Sequence, residues 1–314
     1  MVQRIPNPNP TRVVAPSFPF INSSSPTLTY MLEKLLFAPL TMPGELIRIL
    51  IALLGTGLAT YYDVFNNRNV PNNLLYAFLA IAFIVSIIFF QQEVFIYSII
   101  QFAVIGIFGF LLYRTGQIGG ADIFVLCSIV LLLPVLPASQ EVLFNFPLIL
   151  PILLYGGVAF AVFSVLYFGS LIRHQKTLKA NYWYLILIIP YLIFAWIFLS
   201  APFFSIVYFT IASLLLLSSI FFLVFREAIY EGITEKIPVS KLPPDGDVLA
   251  KEKMEPLMKK LKIGPVIEEK ELAILKKAKV KEVWIYSKLP PFLPFVLVGL
   301  LASLFFGNLL FLIF

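Results

Sequence analysis

Side chains that bind metals or form cross-links are almost missing from this 314-residue chain: it has one cysteine, Cys127, and one histidine, His174. A single cysteine excludes an internal disulfide and any cysteine-rich metal site. With only one histidine besides, the ligands of a structural zinc centre are not there, so no metal and no cofactor is expected. Charge is scarce as well. Asp, Glu, Lys and Arg together make up 13% of the residues, about half the share of a soluble domain. The net charge of +6 sits in loops between apolar runs. It forms no basic–aromatic clusters of the kind that bind RNA, so no nucleic-acid partner is expected. Residues 1–20 hold Arg4 and Arg12 but no apolar run, so no secretory signal is read there.

Hydrocarbon is what the chain has instead: 60% of the residues are hydrophobic and the mean hydropathy is +0.94. This composition defines an integral membrane protein. A span needs roughly 20 mainly apolar residues. Such runs lie near Leu46–Tyr62, Asn73–Phe90, Val94–Tyr113, Asp122–Pro137, Leu148–Ile172, Trp183–Ser200, Phe203–Phe225 and Phe292–Phe314. The sixth and seventh are divided only by Ser200, Ala201 and Pro202. The expected fold is an all-α polytopic membrane bundle of about 6–8 transmembrane helices, with a small α+β cytosolic insert before the last helix. Its divisions are a proline-rich external tail (1–45), a transmembrane catalytic bundle (46–225), the soluble insert (226–290) and a final transmembrane helix (291–314). Gly55 and Ala59, Gly106 and Gly109, and Gly156 and Gly157 are read as places where helices approach closely.

Lys and Arg set the orientation. One set of connections carries Arg68, Arg114, Arg173, Lys176, Lys179 and the fourteen basic residues from Arg226 to Lys288. The alternate connections after the second, fourth and sixth runs carry none. The basic set is therefore expected on the cytosolic side of the plasma membrane. Arg4, Arg12, Lys34 and Arg48 then count as external. In the insert, Glu268–Lys279 has the charge pattern of an exposed helix. Lys281–Tyr286 alternates like a short strand. The insert is small for an autonomous core, so it is expected to pack on the membrane domain through Trp284 and Tyr286. The tail is expected to be disordered to about Ser25, with an interfacial stretch over Leu28–Leu40.

Two of the four aspartates stand at the mouths of apolar helices, Asp63 in Tyr61-Tyr62-Asp63-Val64 and Asp122 in Gly119-Gly120-Ala121-Asp122. An acid at the edge of a bilayer span is costly to keep and is a functional candidate. Parity argues that the two can meet. The first span ends at Asp63, two spans run out and back, and the fourth starts at Asp122 on the same face. Two carboxyls at close range share a proton and titrate as a unit. One can then take a proton from water while the other donates to a substrate carbonyl. Asp122 opens its helix, where free amides favour charge. Asp63 closes its own, which makes Asp63 the expected proton carrier. Gly119 and Gly120 let a substrate backbone approach or let the loop turn into the helix. Gly119, Gly120 and Ala121 are the candidate substrate-binding residues.

These residues resemble a known family. Asp63 followed by Asn66-Asn67-Arg68-Asn69-Val70-Pro71-Asn72 is similar to the Asp–basic–Ile-Pro-Asn segment of type IV prepilin peptidases. Gly119-Gly120-Ala121-Asp122 is similar to the GxGD-like signature of their archaeal preflagellin relatives. The late polar insert leading through Leu289-Pro290-Pro291 into the last helix also resembles the archaeal members. The resemblance implies a membrane aspartic endopeptidase that removes the short basic leader from type IV pilin or archaellin precursors at the cytosolic membrane face. Asp63 and Asp122 are then the catalytic pair, and the partners are the precursors and the lipid bilayer. It also implies about six spans rather than eight, and the bacterial cysteine-rich insert is missing here. Glu227, Glu231 and Glu235 are the acids expected to receive the basic leader.

Two other readings compete. A presenilin or signal-peptide-peptidase type protease fits Tyr62-Asp63, but its acids lie on consecutive spans. A proton-coupled transporter also uses membrane acids, usually at mid-span in a broken helix. Arg68 is read either as a lipid-headgroup contact or as a charge tuning Asp63. His174 is read as an interfacial loop residue, and Asp245 and Asp247 as turn residues.

Overall fold

The computed structural model describes residues 40–66, 68–137, 145–173, 175, 179–201, 205–242, 248–287 and 289–307. The expectations for the tail before residue 40, for His174 and for Asp245 and Asp247 lie outside them, as does the end of the last run beyond Gly307.

Helix α1 (Glu45–Phe65) buries Arg48, Ala52, Thr56, Ala59 and Asp63. Spacings of three and four put these on one stripe facing the bundle. Helix α2 (Asn72–Ile88) starts after Pro71, whose fixed φ suits an entry, and buries Leu75, Phe78, Ala82, Val85 and Ser86. Helix α3 (Gln92–Arg114) follows. Helix α4 (Gly120–Leu132) is buried on every side from Val125 to Leu132, as a central helix must be. It packs against α1, α2 and α3 and touches α5 (Ile149–Arg173).

A 3₁₀ turn (Tyr182–Leu187) leads into α6 (Ile188–Leu199), which is followed by α7 (Ile206–Val224). Then come α8 (Arg226–Ile233), β1 (Thr234–Pro238), α9 (Lys251–Leu261), α10 (Glu269–Lys277), β2 (Glu282–Tyr286) and α11 (Leu293–Phe306). Five of the described helical segments are long and apolar enough to cross a membrane, while α2, α4 and α11 are shorter apolar helices. The architecture is a multi-pass helical membrane bundle with a small mixed insert, as expected.

The bundle core draws on α1 to α5 and α11. The α6–α7 hairpin contributes nothing to it, and α6 buries no residue at all. Six helices thus build the central body, and the hairpin accounts for the two runs beyond the six that the resemblance implies.

The fourth run is not helical along its whole length. Helix α4 ends at Leu132 rather than at Pro137. Thirteen residues span about 20 Å, well short of the hydrocarbon thickness of roughly 30 Å. Residues 133–137 continue as buried extended chain, with Val135 bridging Pro147. Backbone of this kind inside a bundle needs protein partners for its polar groups. They are present: Ser86 Oγ donates to the Leu131 carbonyl at 2.8 Å, and Gln101 Nε2 to the Pro134 carbonyl at 2.8 Å.

Arg48 serves the helical carbonyls just before that stretch. It is 1% exposed. Its guanidinium donates to Leu132 O at 3.0 Å, Leu131 O at 3.4 Å, Phe89 O at 3.1 Å and Pro43 O at 2.9 Å. One planar fork therefore satisfies the C-terminal carbonyls of α4 and α2. Replacing Arg48 by Met should cost about 3 kcal/mol, because buried carbonyls lose their donors. Lys should recover only part of that. Thermal unfolding in detergent checks both.

In the insert, β1 and β2 pair antiparallel, from Thr234↔Tyr286 to Pro238↔Glu282. The expected strand and the expected exposed helix are β2 and α10. Leu249, Ile267, Leu275, Val283 and Ile285 fill the insert's own core, and Trp284 packs against it with Lys253 over its ring. Tyr286 alone of the two expected anchors reaches the membrane helices. It joins Phe168 and Ile172 of α5 and Phe221 of α7, and donates a hydrogen bond to Glu252.

Candidate active site

Helices α1 and α4 run antiparallel, and Arg48 fixes their relative height. It stands at the start of α1 and holds the end of α4. Asp63 lies roughly 22 Å further along α1, at 1.5 Å per residue, which brings it level with the beginning of α4. There Asp63, in the last turn of α1, and Asp122, in the first turn of α4, stand at the same end of two helices packed together. The two acids that the sequence separates by two spans thus share one end of the bundle.

Asp63 is 8% exposed. Its Oδ2 accepts a hydrogen bond at 3.1 Å from the backbone amide of Leu293, the first residue of α11. Nothing in the sequence around Asp63 announces this donor, which comes from 230 residues away. Asp63 does close its helix, as expected, but it also receives the free amide at the start of another. The reason given for making Asp63 the proton carrier is thereby offset.

Asp122 is half-buried and sits in the first turn of α4. Its Oδ2 accepts from the amide of Gly119 at 3.0 Å, which closes the loop onto the helix start. The neighbouring glycines are not equivalent. A Cβ on Gly119 would lie 3.0 Å from Asp122 Oδ2, whereas one on Gly120 would meet Tyr113 Cε2 at an ordinary 3.7 Å. Gly119→Ala should therefore disturb the Asp122 carboxyl more than Gly120→Ala does, and lower any activity that depends on that carboxyl about ten-fold more. Initial rates of the two variants check this. Ala121 packs against the bundle core.

Arg68 lies in the α1–α2 connection with a left-handed backbone (φ 63). It follows Asp63 by five residues, in the connection at the same end of the bundle. Glu227 and Glu231 line a cavity of about 350 Å³ with Glu252, Arg226, Tyr184 and Tyr230; Glu235 does not line it. Glu231 pairs with Lys179 at 2.6 Å. Cys127 is buried in α4 as a free thiol. Among the described residues, no three His, Cys, Asp or Glu side chains converge.

The fold and this pair of acids define a multi-pass helical membrane protein with two carboxyls at one end of its bundle. Residues 49–165, which carry both, match the model of the type IV leader peptidase family. Over that segment, a little over a third of the chain, this agrees with the motif resemblance. No curated protein and no solved structure matches the chain.

Proposed function

We propose that this protein is a membrane-embedded aspartic endopeptidase that removes the short basic leader from type IV pilin or archaellin precursors. Asp63 and Asp122 act as the catalytic pair on the cytosolic face. The observation that carries the reading is the convergence of the two acids, from helices far apart in sequence, at one end of the bundle.

The chemistry follows from the pair. The ionised carboxyl takes a proton from water, and the water oxygen bonds to the scissile carbonyl carbon. The protonated carboxyl gives its proton to the carbonyl oxygen, forming a tetrahedral diol. The first carboxyl then returns its proton to the leaving nitrogen as the C–N bond breaks. The second recovers one from the diol, which becomes the new carboxyl group. Both acids end as they began.

Basic residues flank this face in the sequence, so a basic leader needs a local acidic dock. Glu227 and Glu231, which line the cavity with Glu252, supply one, Glu231 exchanging its Lys179 partner for the leader. Charge reversal at both should raise KM for a leader-bearing precursor several-fold, with a smaller change in kcat. The salt dependence of KM should fall as well. An unchanged KM removes the dock from the scheme.

The whole reading is tested by co-expressing the protein with a pilin precursor and scoring the size shift in membranes. Processing that requires intact Asp63 and Asp122 supports it. A precursor that stays full length with the parent protein, across several leader sequences, counts against it.

A further inference from the structure

The family match stops at residue 165, yet the insert and the last helix touch both acids' supports. On the Asp122 side, Tyr113 at the end of α3 donates from its hydroxyl to Glu268 Oε1 of the insert at 3.0 Å. In the loop that leads to Asp122, Gly116 has φ +72, and a Cβ there would lie 2.9 Å from Val248 Cγ1 and 3.6 Å from Pro265. The α3–α4 loop is therefore seated on the insert. On the Asp63 side, the contact is the Leu293 amide at 3.1 Å.

The two contacts belong to one connected piece of structure. The Val248 carbonyl accepts from the Tyr286 amide at 3.0 Å, and Ala250 donates to the Trp284 carbonyl at 2.8 Å. Leu249 bridges Ile285, and Val248 bridges Val266. The segment that meets Gly116 is thus hydrogen-bonded to β2. From β2 the chain runs on through Pro290 and Pro291 into α11, whose first amide holds Asp63.

We propose that the insert is a positioning element of the catalytic site: through Gly116 and Tyr113 it sets the Asp122 loop, and through the α11 amide at Leu293 it sets Asp63, so that it fixes how the two carboxyls face each other. This rests on the peptidase reading, and it extends the catalytic unit beyond the matched segment. Tyr113, Glu268 and Leu293 are then positioning residues that act through the acids rather than on the substrate.

Leu293 offers the decisive substitution. It is the first residue of its helix, where proline is accommodated because that amide has no intrahelical partner. Leu293→Pro removes the donor to Asp63 but also trims a fully buried side chain, so Leu293→Ala, which trims more and keeps the amide, is the packing control, and Leu293→Ile keeps both. Leu293→Pro should lower kcat at least about ten-fold with little change in KM, since a misplaced reacting group costs on that order or more. Leu293→Ile should recover most of the loss. Tyr113→Phe and Glu268→Ala should each lower kcat, and the double variant should be no worse than the worse single one. Equal kcat for the Pro and Ile variants overturns the proposal. So does a change confined to KM, which would make the contacts at Tyr113, Glu268 and Leu293 part of the substrate dock instead.

A second readout does not depend on activity. Leu293 has no helical partner for its amide, so hydrogen exchange there should speed up about ten-fold or more in Asp63→Ala. Glu268→Ala should speed it up as well, across the insert. Unchanged exchange in both overturns the positioning role even if the protein cleaves nothing. A parent protein that cleaves no precursor, but in which both variants exchange faster, sinks the peptidase reading alone.

Discussion

Asp63→Asn and Asp122→Asn should each reduce precursor cleavage by about 10³-fold or more while leaving the protein folded. The size follows from what asparagine cannot do. It neither takes a proton from water nor gives one to a carbonyl, and proton transfer by a positioned carboxyl contributes on the order of 10²–10⁴-fold. The loss should be nearly the same for either site, and the double variant should be little worse than the single ones, because residues that act as a unit are not additive. The rate of the parent should be bell-shaped in pH, since one carboxyl must be charged while its partner is not. Its two limbs belong to the pair and not to single residues. Initial rates on a purified precursor, with thermal unfolding of each variant as control, provide the check. A variant that retains a tenth of the parent rate takes its residue out of the catalytic step.

Gly299→Ala should be the most disruptive small substitution in the bundle. The crossing of α11 and α5 is closed at this point by two glycines that face each other's backbone. A Cβ on Gly299 would sit 2.1 Å from Ile152 O and 2.9 Å from Gly156 N, and one on Gly156 would sit 2.6 Å from Phe295 O. These neighbours are main-chain atoms of packed helices, so the overlap can be relieved only by separating the helices. Overpacking of this sort typically costs about 1–3 kcal/mol, and the upper end is expected here. Gly157, one residue on, has nothing within 4 Å of such a Cβ. Gly157→Ala should therefore be neutral, or slightly stabilising through helix propensity. The contrast isolates packing from backbone effects. Because α11 opens with the amide that holds Asp63, Gly299→Ala should also lower kcat more than Gly157→Ala does. Unfolding in detergent and a cleavage rate on the same samples test both halves.

The acids were the easiest part of the site to find. In a chain so poor in charge, Asp63 and Asp122 stand out against hydrocarbon, and counting spans places them on one face. The glycines of the packing stripe were half legible. Gly156 does lie at a close crossing, but its neighbour Gly157 points into open space, and its partner Gly299 was not singled out. Counting Arg48 as a charge near a span end leaves its burial unread. The signal for burial was present in the spacings of four, four and three residues from Arg48 to Ala52, Thr56 and Ala59, which put it on the buried stripe of α1. Positive-inside counting gives weight to any arginine near a span end and takes no account of which face it occupies. The early end of α4 at Leu132 is marked by Pro134 and Pro137. Which side chains satisfy the freed carbonyls is a matter of neighbours that no local pattern encodes.

Composition and apolar run lengths determine by themselves that this is a multi-pass helical membrane protein. A bilayer admits few alternatives to the helix for an apolar chain of this kind, and the rule is local. The order of the runs likewise determines that Asp63 and Asp122 share a face. Tertiary structure decides what no local rule can reach: that α4 is the central helix, that Arg48 sets its height against α1, and that the start of α11 supplies an amide to Asp63. The last two depend on backbone groups at helix ends. Such groups carry no side-chain signature, and their partners are chosen by packing among segments far apart in the chain.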